Sequence, residues 1–121
     1  MPVARSIVII DDDPDILRLF TLLFETAGYK VLAAPTATDG LAYLATADPV
    51  AVLCDVRMPG MDGVDFCTLV RTSPTLRQPP IILTSAALLP PHSLPADITF
   101  LPKPISVPTL LAAVGRHAMA V

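Results

Sequence analysis

Three short runs of branched apolar residues each stop on a polar side chain. Ile7-Val8-Ile9-Ile10 ends at Asp11, Ala51-Val52-Leu53-Cys54 at Asp55, and Ile81-Ile82-Leu83 at Thr84. A strand with one wet face alternates apolar and polar residues; a strand buried on both faces reads as an unbroken apolar run. Runs of this kind point the chain towards a parallel sheet covered by helices on both sides. Parallel strands all end at the same edge, so these polar residues are expected together, at the edge where open α/β sheets bind ligands.

The segments between the runs have helical spacing. Asp13 is placed to cap a helix that opens with Pro14, where a missing N–H is harmless. Ile16, Phe20, Leu23 and Ala27 follow on one face, and Gly28 supplies a C-terminal stop. A second strand is predicted from Tyr29 to Ala34. Thr36 or Thr38 caps a short helix through Leu44, which ends before Pro49. Pro59, Gly60 and Gly63 predict a loop, after which Val64, Cys67 and Val70 share a helical face. Ile98-Thr99-Phe100-Leu101 forms a fifth strand. Ser106 caps a last helix, with Pro108 in its first turn and Leu110, Leu111 and Val114 facing inward. Strands alternating with helices predict an α/β fold with right-handed crossovers. With no internal repeat and no linker, the expectation is one domain over residues 1–121.

One crossover departs from the pattern. Ser85 to Asp97 should hold a fourth helix, but this stretch contains Pro90, Pro91 and Pro95. Pro90 and Pro91 can open a helix; Pro95 would clash with the turn before it and has no N–H. The fourth helix is therefore expected to be disrupted or absent, leaving a largely irregular connection. Leu88, Leu89 and Leu94 are expected to cover the sheet from it, the alternative being an exposed apolar patch that binds a partner; His92 is expected at the surface, as is His117 in the last helix.

Composition excludes several functions. At 53% hydrophobic and 16% charged residues, the chain is expected to fold. A net charge of −3 without a basic run argues against direct nucleic-acid binding, which needs clustered Lys and Arg. No apolar stretch could span a bilayer, and the first residues lack a signal peptide's apolar core, so a cytoplasmic location without a membrane partner is expected. Cys54 and Cys67 lack metal-ligand spacing and are expected to be reduced core residues.

The chemistry lies at the strand ends. Once Asp13 has the capping task, Asp11 and Asp12 exceed what one helix needs. With Asp55 they make a carboxylate set suited to Mg2+, which takes oxygen ligands in octahedral geometry and keeps several waters. Thr84 and Lys103 add a hydroxyl and an ammonium that suit the oxygens of a phosphoryl group.

In this set the chain resembles the receiver domains of two-component response regulators, over essentially its full length. The likeness is carried by Ile9-Ile10-Asp11-Asp12-Asp13-Pro14-Asp15, by Cys54-Asp55-Val56-Arg57-Met58-Pro59-Gly60-Met61-Asp62-Gly63, by Leu83-Thr84-Ser85-Ala86 and by Leu101-Pro102-Lys103-Pro104. It implies a flavodoxin-like five-stranded parallel sheet of order 2-1-3-4-5 with helices on both faces. It implies Asp55 as phospho-acceptor and Mg2+ held by Asp11, Asp12, Asp55 and the main-chain carbonyl of Arg57. Thr84 would hydrogen-bond the phosphoryl group, Lys103 would pair with it, and Phe100 would be the aromatic switch residue coupled to Thr84. A cis Lys103-Pro104 bond is implied as well.

The implied partners are a sensor histidine kinase or phosphotransfer protein as donor, and an output protein that reads the switched surface. Such a domain catalyses only its own phosphorylation and dephosphorylation and is not otherwise an enzyme. A pseudo-receiver, acting as a constitutive interaction module, is the alternative; it is disfavoured because Asp11, Asp12, Asp55, Thr84 and Lys103 are all in place. A Mg2+-dependent phosphohydrolase would need a general acid beside Asp55, and Arg57 stands where a second aspartate would be required.

Overall fold

The computed structural model describes residues 5–86, 95 and 97–119. Its strands are β1 (Ser6–Ile10), β2 (Lys30–Ala34), β3 (Ala51–Asp55), β4 (Ile81–Ser85) and β5 (Thr99–Pro102). They form one parallel sheet in the order β2-β1-β3-β4-β5. Among the described residues there are four helices: α1 (Pro14–Thr26), α2 (Ala37–Thr46), α3 (Gly63–Thr72) and α4 (Val107–Met119). None of them is long and apolar enough to cross a membrane.

The unbroken apolar runs are two interleaved faces. Val8, Ile10, Val52, Cys54, Ile81 and Leu83 meet Leu44 of α2 and Phe66, Cys67 and Val70 of α3. Their alternates, Ile7, Ile9, Leu53 and Ile82, meet Phe24 of α1 and Leu110 and Val114 of α4. Each large apolar side chain fully buried this way stabilises the fold by roughly 1.5–3 kcal/mol. Two such layers fix which segments become strands; local chemistry then sets where the helices start and stop.

Asp13 is the N-cap of α1, its carboxylate accepting from the N–H groups of Asp15 and Ile16 at 2.9 and 3.4 Å. Thr36, not Thr38, caps α2, its Oγ1 accepting from Asp39 N at 3.1 Å. Ser106 Oγ accepts from Thr109 N at 3.2 Å at the start of α4. Gly28 follows α1 with φ at 99°, a left-handed conformation that favours glycine. β2 and β5 each begin one residue later than the sequence predicts, at Lys30 and Thr99, and β5 continues to Pro102 at the sheet's edge. The Lys103-Pro104 bond is cis. His117 is half-buried and not simply on the surface, because α4 brings its last turns down beside the start of β3.

The irregular β4–β5 connection predicted from its prolines falls on residues 87–94 and 96. These, with the expected places of Leu88, Leu89, His92 and Leu94, lie outside the described residues.

Candidate functional site

The sheet's own hydrogen bonds set the heights of the strand-end residues. Asp55 faces Thr84 across the β3–β4 ladder, and Ile10 faces Cys54 across β1–β3, so Asp11 stands one residue further on, beside Asp55. The pairing continues past the strands. Asp11 N donates to Ala34 O at 3.1 Å, Val56 N to Thr84 O at 2.9 Å and Lys103 N to Ser85 O at 2.6 Å. The site therefore stands on ladder backbone, which holds side chains more tightly than loops do.

Carboxylate oxygens of Asp11, Asp12 and Asp55 all lie within 4.8 Å of one another. Asp11 is buried, Asp55 partly buried and Asp12 exposed. Lys103 Nζ stands 3.3 Å from Asp55 Oδ1, and only 14% of the Asp55 side chain is exposed. Thr84 is buried next to it. Asp13 is engaged as the α1 cap, and its N–H donates to Asp11 Oδ1 at 3.0 Å. Arg57 is exposed, on the rim of a depression shared with Met58, Pro59 and Asp62.

Phe100 is set apart from this group. The β4–β5 ladder pairs it with Leu83, and it packs into the core under α2 and α3, while Thr84 pairs with Leu101, which belongs to the core under α1 and α4. Side chains alternate along a strand, so Thr84 and Phe100 leave the sheet on opposite faces.

Gly63 is where the sequence predicts a loop; it is in fact the first residue of α3. Its N–H donates to Val56 O at 2.8 Å. A Cβ there would stand 2.7 Å from the carbonyl oxygen of Asp55, so a side chain cannot fit without moving the acidic turn. The only signal in the sequence is Asp62-Gly63 at the head of a helical pattern, with Asp62 as the cap.

Burial pushes the Asp11 carboxyl above its ordinary value of 3.8; the Asp13 N–H opposes this, and the nearby Asp55 adds to it. Folded protein thus binds this proton more readily than unfolded chain. Asp11 contributes stability below pH 3.8 that is lost as pH rises through its higher folded value. Asp11→Asn is therefore expected to make the metal-free protein more stable at neutral pH, with the advantage disappearing in acid. Urea unfolding at several pH values would check this; equal stabilities throughout would contradict it.

The thiols have a different fate. Burial raises Cys54 well above the ordinary thiol range, and Cys67 to about 12. Both are free and buried, and with thiolate so disfavoured neither offers a nucleophile or soft-metal ligand at neutral pH.

The carboxylate set fits Mg2+. Two oxygens bound to one Mg2+ lie at most ~4.2 Å apart, twice the ligand distance. Oxygens within 4.8 Å of one another suit an ion that takes some of them directly and others through its retained waters.

Comparison with known proteins gives the same reading. PilG of Pseudomonas aeruginosa is 29% identical over 116 residues, spanning 93% of this chain and 86% of PilG. The C4-dicarboxylate transport transcriptional regulatory protein DctD of Rhizobium meliloti is 36% identical over 91 residues, which are 74% of this chain and 19% of DctD. The chain thus corresponds to nearly all of one relative and to a small part of another. The crystal structure of the signal receiver domain of a histidine kinase from Syntrophus aciditrophicus matches with a TM-score of 0.85 at 28% identity, over 98% of this chain and 92% of that one. The family profile for the response regulator receiver domain covers residues 7–115, a span that holds all five strands' core and every acidic, hydroxyl and ammonium group at the sheet edge; the chain belongs to that family.

Proposed function

We propose that this protein is a phosphorylation-dependent signalling domain in which Asp55 accepts a phosphoryl group from a phosphohistidine of a sensor histidine kinase or phosphotransfer protein. The observation that supports this best is the partnering of Asp55. A structural carboxylate at this depth is normally surrounded by donors. Among the described residues, the Asp55 carboxylate has one hydrogen-bonding or ion-pairing partner, Lys103, and the acids Asp11 and Asp12 as close neighbours.

In the proposed transfer, an Asp55 carboxylate oxygen bonds to phosphorus as the phosphorus–nitrogen bond to the donor imidazole breaks, and the imidazole leaves with that electron pair. Lys103 offsets charge on the moving oxygens, and the Thr84 hydroxyl hydrogen-bonds them afterwards. Catalysis here is mainly positioning and electrostatics. Mg2+, held by Asp11, Asp12, Asp55 and the Arg57 carbonyl, would supply further charge neutralisation.

The added charge would draw Thr84 inward and bias Phe100 between two positions, a population shift read by an output protein. With the two side chains on opposite faces, that coupling would run through the β4–β5 ladder. The domain would occupy residues 1–121 and work in the cytoplasm.

The test is incubation with Mg2+ and a small acyl phosphate, followed by intact mass measurement. A gain of one phosphoryl group, removed by hydroxylamine as an acyl phosphate should be, supports the reading. Mg2+ binding without any gain would point to the pseudo-receiver.

Metal binding separates adjacent aspartates. Asp12→Ala should weaken Mg2+ by at least the roughly 10–100-fold seen when a metal site loses a supporting partner. Asp13→Ala should instead lower stability by ~0.5–2 kcal/mol through loss of the α1 cap. Calorimetric titration and urea unfolding of both variants distinguish the roles; equal loss of Mg2+ affinity would remove the distinction.

A further inference from the structure

At the opposite edge of the sheet, where the strands begin, lies a cleft of about 480 Å3, within the range of small-molecule sites. Pro49, Pro79 and Pro80 contribute to its lining, and Pro49 and Pro79 are buried. Prolines carry no N–H, so at these positions the backbone offers a ligand no donor.

One wall is built in advance. Gln78 Nε2 donates to Val70 O at 2.6 Å, and its Oε1 accepts from Arg71 Nη1 at 3.1 Å. Arg71 Nη2 donates to Pro79 O at 2.8 Å, and its Nε pairs with Asp97 at 3.0 Å. All three nitrogens of that guanidinium are engaged within the protein. The α3–β4 connection is therefore fixed before anything binds, which lowers the ordering cost of a ligand.

Three other polar side chains around the cleft are not engaged. Arg5 lines it from the start of β1, Asp48 from the α2–β3 connection and His117 from α4. Among the described residues, no hydrogen bond or ion pair holds their side chains. Arg5 and Asp48 carry opposite charge around one cavity and yet do not pair.

These charges select among ligands. A simple anion would gain Arg5 and meet repulsion from Asp48; a simple cation would meet the reverse. Only a molecule with both charges satisfies both walls. A guanidinium fork matches a carboxylate in a bidentate pair, and a carboxylate accepts from an ammonium. We propose that this cleft is a second ligand site, for a zwitterion of amino-acid to dipeptide size, with its carboxylate at Arg5 and His117 and its ammonium at Asp48. A five-residue strand, ~17 Å at the usual rise, separates it from the Asp55 edge.

The test is a titration of isotope-labelled protein with alanylalanine, followed by backbone amide NMR shifts. Sodium acetate and ethylammonium chloride serve as single-charge controls. The expected result is saturable shifts at Val50, Gln78 and His117, with binding at least tenfold weaker for each control. Arg5→Gln and Asp48→Asn, both at exposed positions, should each weaken the dipeptide by about tenfold, the factor for 1.4 kcal/mol. Both should leave phosphoryl uptake at Asp55 unchanged. Shifts that do not saturate, acetate binding as tightly as the dipeptide, or either variant binding the dipeptide as tightly as wild type would each overturn the proposal.

Discussion

Replacing Asp55 by Asn is expected to reduce phosphoryl uptake to background while leaving the fold intact. The amide has nearly the shape of the carboxylate, so the end of β3 and its pairing with β4 need not change. It lacks the anionic oxygen that attacks phosphorus, and of the described acids beside it neither is expected to take its place. Asp12 is exposed, and Asp11 is buried and already accepts from Asp13 N. Two electrostatic changes oppose each other in this variant. The Lys103 ion pair is lost, worth ~0–1 kcal/mol for a pair that is still partly open to water; one third of the Lys103 side chain is exposed. Against that, Asp11 no longer faces the Asp55 charge, which is one of the causes holding its carboxyl above the ordinary value. The net effect on stability should be small. Tandem mass spectrometry of wild type after treatment with the acyl phosphate should place the group on Asp55. If Asp55→Asn gains the same mass at the same rate, another residue is the acceptor and the proposed function fails.

How much of this was legible in the sequence depended on the range of the interactions involved. The strands could be read because burial on both faces leaves its own pattern, and the sheet order came with the family resemblance. The acidic edge could be read because parallel strands all end on one side, so Asp11 and Asp55 needed no contact information to be placed together. Caps were legible where side chain and target lie within three residues, as for Asp13 and Ser106. Thr36 and Thr38 compete at that same range, and only the extended backbone at Thr36 decides between them.

What stayed hidden depends on distance in three dimensions. The face taken by Phe100 follows from β4–β5 register, and a four-residue edge strand does not announce its register. The Arg71 hub joins residues seven, eight and 26 positions away. The need for glycine at position 63 comes from a backbone approaching from β3, while the local sequence shows only a turn-like dipeptide.

That approach supports the second large effect, expected for Gly63→Ala. The added methyl would stand 2.7 Å from the Asp55 carbonyl oxygen and 2.9 Å from Val56 Cα, both backbone atoms, and 3.1 Å from a Leu83 methyl. Backbone of a central strand cannot turn aside as a side chain can. Either α3 lifts from the sheet, breaking the 2.8 Å bond from Gly63 N to Val56 O, or the turn after Asp55 moves. Overpacking of this kind costs about 1–3 kcal/mol, and here the strain falls on the acceptor's own peptide unit. Gly63→Ala should therefore lower stability and also weaken Mg2+ binding and phosphoryl uptake in the molecules that remain folded. Gly40→Ala is the informative comparison. Its Cβ would crowd the end of the Ile10 side chain and approach Phe66 at 3.3 Å, so the nearest obstacles are side-chain atoms. That variant should lose stability yet keep its Mg2+ affinity, because the crowding falls on Ile10 Cδ1 and Cγ1, and a shift of that side chain need not move the backbone that carries Asp11. Unfolding curves and Mg2+ titrations on both variants decide the matter. If they lose stability alike and bind Mg2+ alike, the close packing at Gly63 supports the fold and plays no part in placing Asp55.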